Sequence, residues 1–427
     1  MKSFLRNVVS SLLIMLSRGI LRRYKPQVVM VTGSVGKTST KDAIAAALSG
    51  EFYLRASEKS YNSELGVPLT IIGAKTPWGS FCGWLGVFIE AFCLLILPNH
   101  YPKLLVLEVG ADHPGDLERI LRIATPHIVV VTRLPEMPVH VEAYEGPAEV
   151  REEEFAPARA LPHGAPLILS ADDVYARTMA KGLHTTTISY GYAPDARIHI
   201  EAAEFLTDAD QIGMKGEVLV EDTVYDIHAP GVLGLQQLYA PAAALAVAGA
   251  LGISPKQALK GLASYAPPPG RARVLPGKNQ STLIDDTYNA SPAAVEEALA
   301  SFVLIQNVGR KIAVLGDMLE LGRYSVAEHE RIGELAATSV DVLITVGTRA
   351  RAMRSTAIAH GLGEAEALSF DTAVEAADAL THLIQKGDVV LIKGSQGVRM
   401  ERIVEKLLHD PKDATRLARQ EGEWKKR

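Results

Sequence analysis

The sequence predicts an α/β protein of two successive domains, each built on a mostly parallel sheet. Three observations carry this. Short apolar, β-branched runs alternate with helical segments from residue 28 onward, which implies a parallel sheet covered on both faces. The stretch "SYAPPPGRAR" interrupts the alternation, because three consecutive prolines and a glycine cannot continue a helix. The alternation then restarts, in a chain of 427 residues that is too long for one ordinary domain. The boundary falls near residue 268, giving a first domain over 28–267, a second over 268–410 and a polar tail over 411–427.

The first 27 residues carry six basic residues and no acidic one. Phe4, Leu5, Val8, Leu12, Leu16 and Ile20 recur at helical spacing, with Asn7, Ser10, Ser11 and Arg18 on the other side, so an amphipathic helix is expected. No convincing small-residue site marks it as a cleaved signal peptide. "QVVMVTG" reads as a buried strand and "KTSTKDAIAAALSG" as a helix closed by Gly50. An apolar insertion near 78–98 contains "FCGWLGVFIEAFCLLIL", just long enough to be considered as a membrane span, with Glu90 in its middle. "KLLVLEVGAD", "HIVVVTR" and "APLILSADD" are further strands, with a helix around "PGDLERILRIA". Residues 195–230 suggest a small antiparallel addition, and "YAPAAALAVAGALG" an Ala-rich helix. In the second domain "STLIDDTYN", "KIAVLGDM", "VDVLITVG" and "DVVLIKGS" are strands, and "RLARQEGEWKKR" reads as an exposed polar end.

Composition narrows the function classes. A hydrophobic content of 48% with 22% charged residues fits a globular protein with sizeable cores. The net charge of -5 leaves no global basic footprint for nucleic acid. Two cysteines, Cys82 and Cys93, supply neither a disulfide framework nor a zinc cluster. A reducing cytoplasm is the simpler setting.

The most informative stretch is "VTGSVGKTST", residues 31–40, between a strand and a helix. It is a phosphate-binding loop with only Ser34 and Val35 between Gly33 and Gly36, shorter than the common G-x-x-x-x-G-K-[ST] form. The glycines let the backbone approach an anion, and the amides of residues 34–38, Ser39 closing the stretch, would face it at a helix N-terminus. Lys37 offers a charge to the β/γ-phosphates and Thr38 a hydroxyl to Mg²⁺. An ordinary strand-to-helix turn would also use glycines, but the strand–loop–helix placement favours a nucleotide.

The compact T-G-S-V-G-K-T-S loop resembles that of the Mur ligases and folylpolyglutamate synthetases. "EVGADHPGDLERI", "PPPGRAR", "DDTYNASPAAVEEAL", "VLGDMLELG" followed by His329, and "LIKGSQGVRMERIV" resemble family segments in the same order, over about residues 28–408. "DDTYNASP" is most similar to the branch that adds D-alanyl-D-alanine to UDP-MurNAc-tripeptide. The resemblance implies a P-loop-containing central domain followed by a Rossmann-like C-terminal α/β domain. It also implies an ATP- and Mg²⁺-dependent ligase of peptidoglycan synthesis, which activates a carboxylate as an acyl phosphate for attack by an amine. Such chemistry rests on charge neutralisation and positioning more than on a protein nucleophile.

Glu108 follows "LLVL" and so should end a strand beside the phosphate loop, where it is the expected Mg²⁺ ligand. By similarity, His140 in "MPVHVEAYEG" would help hold a second Mg²⁺. The family places a carbamylated lysine about fourteen residues further on. Here Glu154 stands at that position and no lysine occurs between residues 104 and 180. Either Glu154 supplies the carbamate's charge directly or "REEE" is a charged helix face. The resemblance also implies that Asp285, Asp286, Tyr288 and Asn289 face the nucleotide across a cleft. Arg271 would reach a phosphate on closure, Lys393 and Ser395 would line the amino-component side, and Asn62 would lie on a substrate loop. Asp317 and Glu320 are either structural or readers of the incoming dipeptide.

The chain departs from the pattern in two places. The phosphate loop begins at residue 33, leaving no room before it for the family's UDP-binding domain. "GLQQLYAPAAAL" carries Gln236, Gln237 and Ala240 where the family has His-Asn and Asn. The acceptor is thus a muropeptide, another acid or a lipid-linked substrate, and a non-catalytic nucleotide-binding scaffold on the membrane is the rival of a different class. A single span at 81–97 would put Lys37 and Glu108 on opposite sides of a membrane, so that run should be interfacial, re-entrant or a packing surface. Trp78 and Trp84 suit an interface. The cytoplasmic face of the membrane is the expected contact, with packing of the two apolar segments on each other, or on a second subunit, as the alternative.

Overall fold

The structure is a computed structural model that describes residues 2–58, 61–77, 80–206, 212–306, 308–420 and 424. Trp78 lies outside the described residues. Two sheets organise the chain. The first contains β1 (Gln27–Thr32), β2 (Leu54–Ala56), β3 (Leu104–Glu108), β4 (Ile128–Val131), β5 (Pro166–Ser170), β6 (Thr186–Gly191), β7 (Ile198–Leu206), β8 (Gly213–Val220) and β9 (Thr223–Pro230). Its order is β2-β3-β1-β4-β5-β6-β7-β8-β9, parallel as far as β7 and antiparallel from β7 to β9. The antiparallel addition expected over 195–230 is this last ribbon. The central strands are buried on both faces, as continuous Val, Ile and Leu runs require.

The second sheet contains β10 (Arg273–Pro276), β11 (Thr282–Asp286), β12 (Lys311–Gly316), β13 (Val342–Val346), β14 (Ala367–Phe370) and β15 (Val389–Lys393). Its order is β10-β11-β15-β12-β13-β14, with only β10 antiparallel. The proline break thus separates the two sheets. The join is not loose: Val274 N donates to Gly231 O and Leu233 N to Ala272 O, and one apolar cluster continues from the first core into helix Pro292–Val303 of the second.

The first helix, Lys2–Tyr24, buries Ile20 of the face its pattern suggests but not Val8 or Leu12. Ser10, Leu13, Ser17 and Ile20 are buried, while Val8, Leu12 and Met15 are exposed. Helix Phe81–Ile96 packs against another side of it. A Cβ on Gly19 would stand 2.9 Å from Leu95 Cδ2, so the glycine lets the two helices approach closely, on the side of the first helix roughly opposite Ser10 and Ser17. Tyr24 Oη donates to Leu94 O at 2.8 Å and Arg23 to the carbonyls of Leu95 and Leu97, which fixes the two C-terminal ends together. Among the described residues no helix is long and apolar enough to cross a membrane.

The C-terminal stretch is also corrected. Residues Pro411–Arg416 form a short 3₁₀ helix, and Leu417, Ala418 and Arg419 are buried. Arg419 Nη1 donates to Thr287 O at 3.1 Å and to Glu401 Oε2 at 3.0 Å, and Nη2 donates to Tyr288 O. What reads as a polar tail is a strap over the loop after β11, because Leu417 and Ala418 anchor it.

Candidate active site

The site forms where the carboxyl ends of the strands meet. In the first sheet β1 lies between β3 and β4, so the chain leaves it on either side of a switch point, where open α/β sheets bind ligands. The phosphate loop follows β1, Glu108 ends β3 and Arg133 follows β4. In the second sheet Asp286 and Lys393 are register partners at the ends of β11 and β15.

The loop's two glycines have separate reasons. At Gly33, φ is 117° and a Cβ would lie 2.4 Å from Thr132 Oγ1 and 3.0 Å from the Arg133 backbone. Gly36 caps helix Lys37–Leu48 with φ 87°, but in open space. One expectation changes here. Ser34 N donates to Arg133 O at 2.8 Å and Ser34 Oγ to Glu154 Oε2 at 2.5 Å, so Ser34 braces the loop and its amide does not face an anion. Lys37 Nζ folds back to Gly33 O. The Lys37 stem also lies against Gly110, beside Asn62.

Glu108 is 2% exposed. Its Oε1 accepts from Thr38 Oγ1 at 3.1 Å, while Oε2 is buried with no partner among the described residues. Burial pushes its carboxyl above the usual range, against the opposing pull of Lys37, Lys41 and Arg271. Glu154 is likewise 2% exposed, although it lies in the run "REEE". Burial raises its carboxyl too, and Lys37, Ser34 and His140 pull the other way. The charged-face alternative for Glu154 is therefore excluded: helix Pro147–Arg159 turns it inward to the floor of the loop.

His140 is not placed as a metal ligand. Its Nδ1 meets Glu320 Oε2 at 2.9 Å and its Nε2 faces Asp112 Oδ1 at 3.5 Å. Burial disfavours the imidazolium, but Glu320 and then Asp112 outweigh it, so His140 titrates above its ordinary value. Both ring nitrogens point at carboxylates, and Glu320 brings the second domain onto the first. Among the described residues no three His, Cys, Asp or Glu side chains gather as a metal cluster.

Across the cleft, Asp286 accepts from Ala272 N at 3.2 Å and from Lys393 Nζ at 2.7 Å. Lys393 is 2% exposed and also donates to Asn289 O, so Asn289 contributes a carbonyl to this pair. Burial lowers the Lys393 ammonium and Asp286 holds it up. Arg271 stacks on the Tyr288 ring, 4.3 Å from its centroid. Val35, Gly36, Ser39, Arg271, Asp286 and Lys393 share one pocket. Asp285 is fully buried, bonded to Thr287, and pushed up to about 6 by burial.

Ser395, Asp317 and Glu320 are tied into the protein's own bonds, as is His329 in the same segment. Ser395 is buried, accepts from Leu319 N at 2.9 Å and donates to Ala290 O, which leaves it no free face for an amine. Asp317 accepts from Ala350 N at 2.7 Å. His329 is fully buried between Met318 N and Ser325 O, and burial lowers its imidazole. Glu320 is tied to His140 as above. Other pocket residues escaped the sequence reading. Arg133 pairs with Glu297 of the second domain, and Tyr239 Oη donates to Asp172 Oδ2 at 2.9 Å. Arg133 was findable, since it ends "HIVVVTR" on a strand next to the phosphate loop. Glu297 carries no local signal. Gln237 lines the same pocket, and Gln236 accepts from Ser301 Oγ at 2.8 Å.

The family models for the Mur ligase middle domain and the Mur ligase glutamate ligase domain match residues 91–248 and 270–396. The UDP-N-acetylmuramoyl-tripeptide–D-alanyl-D-alanine ligase of Mycobacterium bovis is 31% identical, over 90% of this chain and 73% of its own. Its Bacillus subtilis namesake is 26% identical, over 93% and 79%. The structure of MurF ligase from Thermotoga maritima in complex with ADP superposes with a TM-score of 0.76 at 26% identity, covering 93% of this chain and 83% of the other. A Mycobacterium tuberculosis folylpolyglutamate synthase shares the fold, with a TM-score of 0.65 at 15% identity. With both domain models matched in order across the two sheets, the chain belongs to the Mur ligase family.

Proposed function

We propose that the chain is an ATP-dependent amide-bond ligase that joins D-alanyl-D-alanine to a muropeptide acceptor through an acyl phosphate. One observation carries the reading: Val35, Gly36 and Ser39 of the phosphate loop face Arg271, Asp286 and Lys393 across a single pocket. A first domain that holds phosphates and a second that brings cations to them suit phosphoryl transfer to a carboxylate, followed by attack of an amine.

The roles follow from the side chains. Lys37, Arg271 and Lys393 supply positive charge where phosphate oxygens gather. Thr38 and Glu108 fit a divalent cation, because the buried Glu108 Oε2 lacks a partner beside a hydroxyl at the loop. Mg²⁺ held there would neutralise phosphate charge. His140 does not fit a second cation in this arrangement and instead latches the domains through Glu320. Glu154 accepts from the Ser34 hydroxyl, with Lys37 pulling against the burial of its carboxyl, which supports its standing in for a carbamate. Asn62, beside Gly110 and Lys37, suits the acceptor side.

Phosphate release from ATP tests this directly. It should require both UDP-MurNAc-tripeptide and D-alanyl-D-alanine, and turnover that ignores either one overturns the substrate assignment. Glu108→Gln should lose at least 100-fold in kcat, the scale of one catalytic electrostatic contact. Glu154→Gln should fall with it. If Glu154→Gln keeps full activity while Glu108→Gln loses it, the substitute-carboxylate role is wrong.

A further inference from the structure

The two helices that meet at Gly19 and Leu95 leave an apolar surface that the ligase reading does not use. On helix Phe81–Ile96 the exposed side chains are Phe81, Leu85, Ile89, Phe92 and Ile96, at i, i+4, i+8, i+11 and i+15. That spacing is one continuous stripe. Val87, Ala91 and Leu94 bury the opposite face. Glu90 lies roughly 140° round the helix from the stripe's centre, at 100° per residue. Val8, Leu12 and Met15 add exposed apolar side chains on the first helix, and Leu97 ends the patch. Nine of the seventeen large hydrophobic residues exposed among the described residues are concentrated here. A patch of this kind marks an interaction surface.

Charge says which. Residues 1–27 carry +6, while the whole chain nets -5, so the rest of the chain carries -11. Helical arithmetic places Arg18 and Arg22 on the same outward face as Val8, Leu12 and Met15, one to two turns further on. Arg18, Arg22, Lys25, Arg122 and His127 line a pocket that has no acidic residue in its wall. Among the described residues Arg18, Arg22 and Lys25 have no acidic partner, while Arg122 pairs with Glu118 at 2.5 Å and His127 Nδ1 accepts from Val28 N at 3.1 Å. Apolar side chains beside unpaired cations are what a helix lying in a lipid–water interface presents.

We infer that these two helices dock the protein on an anionic phospholipid surface, with the apolar stripe in the acyl boundary and phosphate headgroups at the Arg18–Arg22–Lys25 pocket. The helices lie on the surface and do not cross it, since neither is long and apolar enough to span. Docking is independent of the ligase reading, because no residue of the phosphate loop or of the facing pocket takes part.

Flotation of the full chain with vesicles tests it. Vesicles of phosphatidylcholine with 30% phosphatidylglycerol should carry the protein at least tenfold more than phosphatidylcholine alone, and 0.5 M salt should reverse most of that gain. Arg18→Glu with Arg22→Glu should abolish the preference for anionic lipid. Ile89→Ser with Phe92→Ser should release the protein from both vesicles. These positions are exposed, so folding and ATP turnover should persist. Equal recovery with and without phosphatidylglycerol, or no effect of either double variant, overturns the inference. A stable dimer that ignores vesicles and dissociates in Ile89→Ser with Phe92→Ser would assign the stripe to a second copy of the chain instead.

Discussion

Arg419→Met isolates the C-terminal strap. Arg419 is 7% exposed and donates to Thr287 O, Tyr288 O and Glu401 Oε2, with its guanidinium 5.4 Å from the Tyr288 ring centroid. Methionine keeps the apolar stem and removes every donor. Truncating one partner of a buried ion pair costs about 3–5 kcal/mol. Glu401 keeps a second partner, Arg399 Nε at 2.5 Å, so the cost sits at the lower end, about 3 kcal/mol. For the second domain that corresponds to a Tm lower by roughly 6–12 °C. The strap holds Tyr288, and Tyr288 stacks on Arg271, so KM for ATP should rise several-fold with a smaller change in kcat. Thermal unfolding followed by circular dichroism and steady-state kinetics read both quantities. Arg416→Met is the control, since its pair with Asp413 is half-exposed, spaced i,i+3, and worth about 0.5 kcal/mol or less. An unchanged Tm in Arg419→Met, or an equal loss in Arg416→Met, would refute the strap.

Gly33→Ala should raise KM for ATP at least tenfold, because its Cβ meets Thr132 and the Arg133 backbone. Gly36→Ala should cost only the left-handed strain of about 1–2 kcal/mol, since its Cβ enters open space. Asp285 titrates near 6 in the folded protein against 3.8 when unperturbed, so the folded state holds the extra proton between those values. Its stabilising contribution is complete below about 4 and lost as pH rises through about 6, a change of about 3 kcal/mol. Urea midpoints from pH 4 to 7 should show this fall for the wild type, and Asp285→Asn should remove it. Glu320→Gln should bring the His140 imidazole down from its raised value, read as a shift of its Hε1 titration by NMR, and it removes the carboxylate that His140 holds below its usual range.

Strand positions and the phosphate loop were readable because both are local. A β-branched run followed by Gly33, Gly36 and Lys37 states its own geometry, and Glu108 at the end of "LLVL" inherits a place beside it from the sheet. Partner choice was not readable. His140 carries the same letters whether it meets a metal or Glu320, which lies 180 positions later. Ser395 looks like a pocket hydroxyl until the Leu319 amide and the Ala290 carbonyl are found around it. The "REEE" run shows the opposite error: three glutamates suggest a solvated face, yet helix phase turns Glu154 alone onto the Ser34 hydroxyl.

The first helix shows most clearly where periodicity stops. Its apolar residues define two overlapping faces, and hydrophobicity alone selects the one with Val8, Leu12 and Leu16. The fold buries Ser10, Leu13, Ser17 and Ile20, on the side of the helix roughly opposite Gly19, where Leu95 packs. Burying the serines leaves Val8, Leu12 and Met15 outside, beside the Phe81–Ile96 stripe and below Arg18 and Arg22. Had the chain needed only a stable helix pair, burying Leu12 and Met15 in place of two serines would remove more apolar area from water, at about 25 cal/mol per Å². Keeping the larger apolar side chains outside sacrifices that stabilisation, which docking on acyl chains, as inferred above, would recover.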